Sequence, residues 1–137
     1  MKIVDLHTLL RTMQPILNPG IYVFASVPAD HQLPAHAIVA SIRESEGLSV
    51  VMEESAARES RLTPSFRCAW ITLSVNSDLQ AVGLTASFAS ALAQAGLSCN
   101  VVAGVYHDHL FVPVEQANSA MEVLRKLQAQ AIASSRT

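Results

Sequence analysis

Residues 109–115, HLFVPVE, repeat the pattern of residues 47–53, GLSVVME. Leucine matches leucine at the second position, valine matches valine at the fourth, and glutamate closes both segments. Each segment is a short apolar run typical of a buried strand, and its glutamate opens a predicted helix. An internal repeat of this kind predicts that the chain is built from two related halves.

Both halves show the same predicted order of strand, connection, strand, turn, strand and helix. Strands are predicted at 21–27, 37–44 and 48–53 in the first half, and at 67–75, 98–105 and 109–114 in the second. Helices are predicted at 3–13, 54–60, 78–95 and 115–131. The connection after the first strand is a proline-bearing loop in the first half and a full helix in the second.

The helix predicted at 78–95 has a start signal and a stop signal. Ser77 and Gln80 have the spacing of a capping box, and Gly96 is placed to end the helix in a left-handed conformation. The helix is apolar on nearly all sides, which predicts that a second surface covers it in addition to its own sheet. We therefore expect a homodimer.

This element order defines the expected fold class. A β-α-β-β-α unit with antiparallel neighbours and helices on one face has a ferredoxin-like plan. We predict an α+β protein of two tandem ferredoxin-like units, with antiparallel sheets and with the first unit truncated because it lacks the long helix. The predicted units are residues 1–65 and 66–137. The strand at 21–27 could also be shared between the halves.

Composition excludes several classes of partner. The chain has 137 residues, of which 50% are hydrophobic and 15% are charged, and its net charge is −2. Binding to nucleic acid or to anionic lipid requires a basic patch, so neither is expected. The uncharged stretch 79–107 is long enough to span a membrane, but polar residues and Gly96 interrupt it, so no span is predicted.

The two cysteines and the N-terminus predict a cytoplasmic location. Cys68 and Cys99 each lie in an apolar run, which is typical of buried thiols in a reducing compartment. The first ten residues carry Asp5 within their apolar part and have no small-residue cleavage site, so no signal peptide is predicted.

The polar stretch 107–109, His-Asp-His, raises the questions of metal binding and catalysis. Two histidines two positions apart share one face of a strand, but a zinc site needs at least three protein ligands. A triad of Ser77, His107 and Asp108 lacks a nucleophile elbow, and adjacent strand residues point to opposite faces. We therefore predict no metal, no cofactor and no catalytic residue, and an enzyme that uses His107, Asp108 and His109 ranks third among our hypotheses.

Three segments in order carry a family resemblance: VGLTA at 82–86, CNVVAG at 99–104 and HDHLFVP at 107–113. With them, the chain resembles small bacterial tandem ACT-domain proteins, whose second half is related to the ACT domains of cytosolic arginine sensors. ACT domains bind free amino acids or similar small ligands, usually between two ACT units near the loop after the first strand. The resemblance implies a non-catalytic regulatory protein whose output passes through another, unknown protein.

The resemblance also implies where the ligand binds. The start of a helix offers unpaired N–H groups and a positive dipole end to a carboxylate. Asp108 resembles the family's ligand-facing acid and would hold the cationic group, and Glu46 is its counterpart in the first half. The predicted ligand-binding residues are Asn76, Ser77, Asp78, Leu79, Val82, Gly83, Asn100 and Asp108. The second hypothesis is an interaction or scaffold protein that has kept the fold and lost the ligand.

Overall fold

The computed structural model describes residues 5–134. They form two compact units. The discontinuous unit contains residues 5–18 and 70–134, and the inserted unit is Pro19–Ala69. The helices are α1 (Leu6–Thr12), α2 (Glu54–Glu59), α3 (Leu84–Gln94) and α4 (Ala117–Ser134). The strands are β1 (Pro15–Leu17), β2 (Tyr22–Val27), β3 (Ile38–Glu44), β4 (Gly47–Glu53), β5 (Phe66–Leu73), β6 (Asn100–Ala103) and β7 (Asp108–Pro113).

The inserted unit is an antiparallel sheet with one short helix. β4 lies between β3 and β2, and β2 also pairs with residues 66–68 at the start of β5. Alternate residues of β2 and β4 point to one face, as the strand geometry requires. On that face Val23 and Ala25 pack with Val50 and Met52, and Ala57 of α2 completes this core.

The discontinuous unit carries the three remaining helices. β1 pairs antiparallel with residues 71–73 of β5, β7 lies next to β5, and β6 pairs antiparallel with β7. α4 packs against α1 and α3 and also contacts β1 and β7. The fully buried side chains of this core are large and apolar, and they include Leu9, Met13, Ile71, Leu73, Phe88, Leu92, Leu110 and Leu124.

The predicted fold class is confirmed: the chain is an α+β protein with antiparallel strands, helices and a tandem arrangement. The compact units nevertheless divide the chain differently from the predicted boundary at residue 65. Residues 5–18 pack with residues 70–134, since Leu9 and Met13 fill the core that α4 covers. The connection between β2 and β3 contains only a short 3-10 helix, Ala35–Ala37.

One strand was missing from the prediction. The sequence after α1 predicts a turn, because Pro15 is followed by Asn18-Pro19-Gly20. In the structure Pro15–Leu17 forms β1. Proline lacks an N–H group, and it is tolerated at the first residue of a strand. Within residues 5–134, none of the helices combines the length and the apolar character needed to cross a bilayer.

Candidate functional site

The loop at residues 74–83 is tied to the turn that precedes β7. The amide of Ser77 donates a hydrogen bond to the carbonyl of Tyr106 over 3.2 Å. Nδ1 of His107 lies 3.0 Å from the carbonyl oxygen of Val75, at hydrogen-bonding distance. These contacts hold the loop beside the first residues of β7 and so determine which side chains meet there.

The predicted capping box at Ser77 is wrong. α3 begins at Leu84, and its N-cap is Gly83, whose φ of 101° is left-handed and whose position offers no side-chain cap. Ser77 Oγ instead donates to the carbonyl of its neighbour Asp78 over 3.3 Å. A tertiary hydrogen bond to Tyr106 thus holds Ser77 in the loop, and the helix starts where glycine allows a left-handed residue.

A cavity of about 140 Å³ opens between this loop, the start of α3 and the turn between β6 and β7. Five of the eight predicted residues line it, and these are Ser77, Asp78, Leu79, Gly83 and Asp108. Sequence reasoning missed the other lining residues, which are Ala81, Leu84, Thr85, Ala103 and Gly104. Leu84 and Thr85 were missed because the helix was predicted to start too early.

Asp108 is the most unusual side chain of the cavity. It is only 9% exposed, and its carboxyl group makes no hydrogen bond to any of residues 5–134. Burial raises the pKa of Asp108, whereas the neighbouring His109 and His107 act in the opposite direction. A buried acid without a partner is costly to the fold and is a recognised mark of functional sites.

The start of α3 brings hydrogen-bond donors to the same cavity. The first hydrogen bond of the helix runs from the amide of Ser87 to the carbonyl of Gly83 over 2.9 Å. The amides of Leu84 and Thr85 precede it, and no acceptor for them is found in the described part of the chain. Because these N–H groups lie at the positive end of the helix dipole, they favour an anionic group in front of them.

The second acid of the cavity is already occupied by the loop. Oδ1 of Asp78 accepts a hydrogen bond from the amide of Gln80 over 2.8 Å, which closes a tight turn. Asp78 therefore stabilises the loop locally, and Asp108 is the acid that remains without a hydrogen bond inside the described chain.

Three predicted residues do not line the cavity. Val82 is 83% exposed, so its side chain points to solvent. Asn100 pairs with Phe111 across the sheet, and Phe111 stands three positions from Asp108 on β7. Because side chains alternate along a strand, Asn100 and Asp108 lie on opposite faces. Asn76 has a buried Oδ1 with no hydrogen-bond partner among residues 5–134, and it too lies outside the cavity lining.

His109 belongs to a separate cluster on the opposite face from Asp108. Its Nδ1 accepts a hydrogen bond from Nε1 of Trp70 over 3.0 Å and lies 3.2 Å from Oγ1 of Thr72. Nδ2 of Asn18 in turn donates to Thr72 Oγ1 over 2.9 Å. Burial lowers the pKa of His109, the charge of His107 lowers it further, and Asp108 opposes both.

The two histidines therefore serve different partners and do not converge. His107 bonds to a loop carbonyl, and His109 bonds to an indole. Over residues 5–134, no three side chains of the metal-binding types come together. The arrangement around Asp108 provides an acid and helix amides, which suits the binding of a small charged molecule.

Comparison with known proteins identifies the family. An ACT-domain model matches residues 3–69, and a second ACT-domain model matches residues 65–126. The chain belongs to the ACT-domain family and consists of two ACT domains in tandem. ACT domains are regulatory modules that bind small molecules such as amino acids. The predicted relation to arginine sensors is not shown by these matches and stays a prediction.

Solved structures of similar fold come from several bacteria. VC0802 from Vibrio cholerae, a protein of unknown function named a possible transport protein, is 43% identical, with a TM-score of 0.78 over 90% of this chain and 95% of that one. Atu0741 from Agrobacterium tumefaciens is 21% identical, with a TM-score of 0.69 over 85% and 89%. The ligand-free regulatory subunit of aspartate kinase from Thermus thermophilus is 10% identical, with a TM-score of 0.62 over 85% and 97%. The last two likenesses show the fold alone. No curated protein matches the chain.

Proposed function

We propose that this protein is a non-catalytic regulatory protein that binds an amino acid or a related small zwitterion in the cavity between the start of α3 and Asp108. The observation that carries the proposal is the carboxyl group of Asp108. It is nine-tenths buried, has no hydrogen bond within residues 5–134, and lines the same cavity as an uncapped helix start. A ligand that supplies the missing partner would offset the cost of burying that acid.

The polarity of the cavity matches both ends of a zwitterion. The free amides of Leu84 and Thr85 are suited to a carboxylate, since helix starts bind anions through N–H groups and the dipole. The carboxyl group of Asp108 is suited to an ammonium group, because charge-assisted hydrogen bonds are stronger than neutral ones. A ligand with only one of these charges would satisfy only one side of the cavity.

The size of the cavity favours a small ligand. Its volume is about 140 Å³, whereas pockets for drug-sized molecules have roughly 300–1,000 Å³. A short amino acid therefore suits the cavity better than arginine does. Leu79, Ala81 and Leu84 supply the apolar part of the wall, which fits a short aliphatic side chain.

A homodimer remains part of the proposal, with a reason that differs from the predicted one. α3 buries only Leu84, Phe88 and Leu92. Four large apolar side chains near the cavity in sequence are instead exposed, and they are Leu79, Val82, Val105 and Tyr106. A second copy would cover these side chains and enclose the ligand. Light scattering after size-exclusion chromatography tests this point, and a monomer at micromolar concentration would contradict it.

Thermal unfolding in the presence of each of the twenty amino acids tests the function. A ligand present at a hundred times its Kd adds about 2.7 kcal/mol to the free energy of unfolding. We expect such a shift with at least one small amino acid, and we expect Asp108→Asn to abolish it. Signalling would follow from a difference in ligand affinity between two arrangements of the protein.

Glu46→Gln is the matched control for this test. It also removes a carboxyl group, but Glu46 is exposed in the turn between β3 and β4 of the inserted unit and bonds to Ser45. We expect the thermal shift to survive in Glu46→Gln. If no amino acid shifts the unfolding of the wild-type protein, the function proposed here is wrong and the scaffold hypothesis takes its place.

A further inference from the structure

We propose that Asp108 couples ligand binding to proton release, so that the cavity binds an ammonium-bearing ligand progressively more weakly in acid. This inference rests on the proposed function and adds a form of regulation to the same site. Before binding, the carboxyl group of Asp108 is protonated and neutral over part of the acidic range. On binding, its proton leaves to solvent, and the carboxylate forms an ion pair with the ammonium group of the ligand.

The geometry around Asp108 favours the neutral acid when the cavity is empty of ligand. Asp108 is 9% exposed, and none of the cavity-lining residues is lysine or arginine. No hydrogen-bond donor within residues 5–134 contacts its carboxyl oxygens. A carboxylate that is withdrawn from water without a donor or a cation is disfavoured, and the group then retains its proton.

The charged and titratable groups near Asp108 are few. His107 and His109 flank it on the chain, and their positive forms would favour the carboxylate. His107 is bonded to Val75 and His109 to Trp70, so both are directed to other partners. Asp78 lines the same cavity, and its negative charge would oppose ionisation of Asp108. The balance recorded for Asp108 is a raised pKa with burial as the largest cause.

A ligand cation reverses this balance. An opposite charge within a few ångströms favours the ionised form of a carboxyl group. The ligand therefore lowers the pKa of Asp108, and the proton that Asp108 releases is balanced by the charge of the ammonium group. A ligand bound through its carboxylate alone would do the opposite, because neutral Asp108 would then donate its proton in a hydrogen bond and proton uptake would follow.

The first measurement concerns the wild-type protein without ligand. We would follow the side-chain carboxyl carbon of Asp108 by ¹³C NMR across the acidic range, with Asp108→Asn to assign the signal. We expect a titration midpoint above the ordinary value of 3.8. We also expect the carboxyl signal of Glu46 to titrate below its ordinary 4.5, because Ser45 donates a hydrogen bond to it. A midpoint for Asp108 at or below 3.8 overturns the inference.

The second measurement is calorimetry of alanine binding in two buffers of different ionisation enthalpy. We expect proton release that approaches one per site below the NMR midpoint, and an affinity that falls about tenfold per pH unit there. Alanine binding without proton release, or with proton uptake, overturns this inference and leaves the proposed function intact. Absence of binding by alanine and by the other amino acids at every pH overturns both proposals.

Discussion

The side chain of Asp108 shows how a functional site is separated from the structural requirements of the fold. Its acid group contributes no hydrogen bond to the described protein and is withdrawn from water. Because its pKa is raised, the folded state binds more protons than the unfolded state just above pH 3.8. The contribution of Asp108 to stability therefore declines as the pH rises from 3.8 through the raised pKa.

Asp108→Asn should consequently stabilise the ligand-free protein at neutral pH while it removes ligand binding. We expect a gain of about 0.5–2 kcal/mol, the range common for substitutions that relieve a functional constraint. Denaturant unfolding at pH 7 measures it, with Glu46→Gln as the comparison. A loss of stability in Asp108→Asn would mean that the acid has a structural partner after all.

His109 gives a second residue-level prediction, with the opposite sign. Burial lowers its folded-state pKa below 6.5, so the unfolded chain binds more protons as the pH falls. The stability that neutral His109 provides is present above pH 6.5 and is lost as the pH falls through the lowered pKa. Protonation of Nδ1 would also break its hydrogen bond from the Trp70 indole.

Trp70 is the single tryptophan of the chain, so its fluorescence reports this event directly. We expect the emission and the unfolding midpoint of the wild-type protein to change together on acidification below pH 6.5. His109→Gln keeps a hydrogen-bond acceptor without a titrating ring, and its emission should remain constant over the same range. An identical acid response in both proteins would assign the change to another group.

At the scale of elements, the hairpin of β3 and β4 depends on one backbone position. Gly47 opens β4 with a φ of 147°, and a Cβ atom there would lie 2.4 Å from the carbonyl oxygen of Val27. Gly47→Ala should cost about 1–3 kcal/mol or more, because strained backbone and a backbone clash add together.

Gly96, at the end of α3, is the matched comparison. Its φ is also positive, at 77°, but a Cβ atom would meet nothing within 4 Å. We expect Gly96→Ala to cost about 1–2 kcal/mol, the penalty of a left-handed residue alone. Urea denaturation of both variants checks the order, and equal losses would contradict a clash at Gly47.

The elements also show which signals in the sequence could be followed and which could not. Alternating apolar residues predicted β2, β4 and β7 nearly to their ends, because burial of one sheet face determines them. The start of α3 was misplaced, because the Ser77–Gln80 pattern is local and the hydrogen bond to Tyr106 is tertiary. Pro15 concealed β1, since a turn and an edge strand share the same residues.

The predicted site was recovered in part for related reasons. The loop at 76–79 and Asp108 lie on opposite sides of β6, and the repeat grammar placed both at the same end of the sheet. Leu84 and Thr85 could not be predicted once the helix start was misplaced. Asn100 was assigned to the site from its polarity, but the pairing with Phe111 that separates it from Asp108 requires the strand register.

At the scale of the whole molecule, the repeat has diverged in the position that matters most. Glu46 and Asp108 occupy corresponding places before the matching strands β4 and β7. Glu46 is exposed and bonded to Ser45, whereas Asp108 is buried without a partner among the described residues. The two ACT domains therefore share a fold but not a binding site of the kind proposed here.

The discontinuous unit has a consequence for synthesis on the ribosome. Residues 5–18 emerge early, but the strands and the long helix that bury Leu9 and Met13 come from residues 70–134. Pro19–Ala69 can collapse as soon as it leaves the exit tunnel, while α1 waits with its apolar side uncovered. The nascent chain must protect that first helix until nearly the last residue has been added.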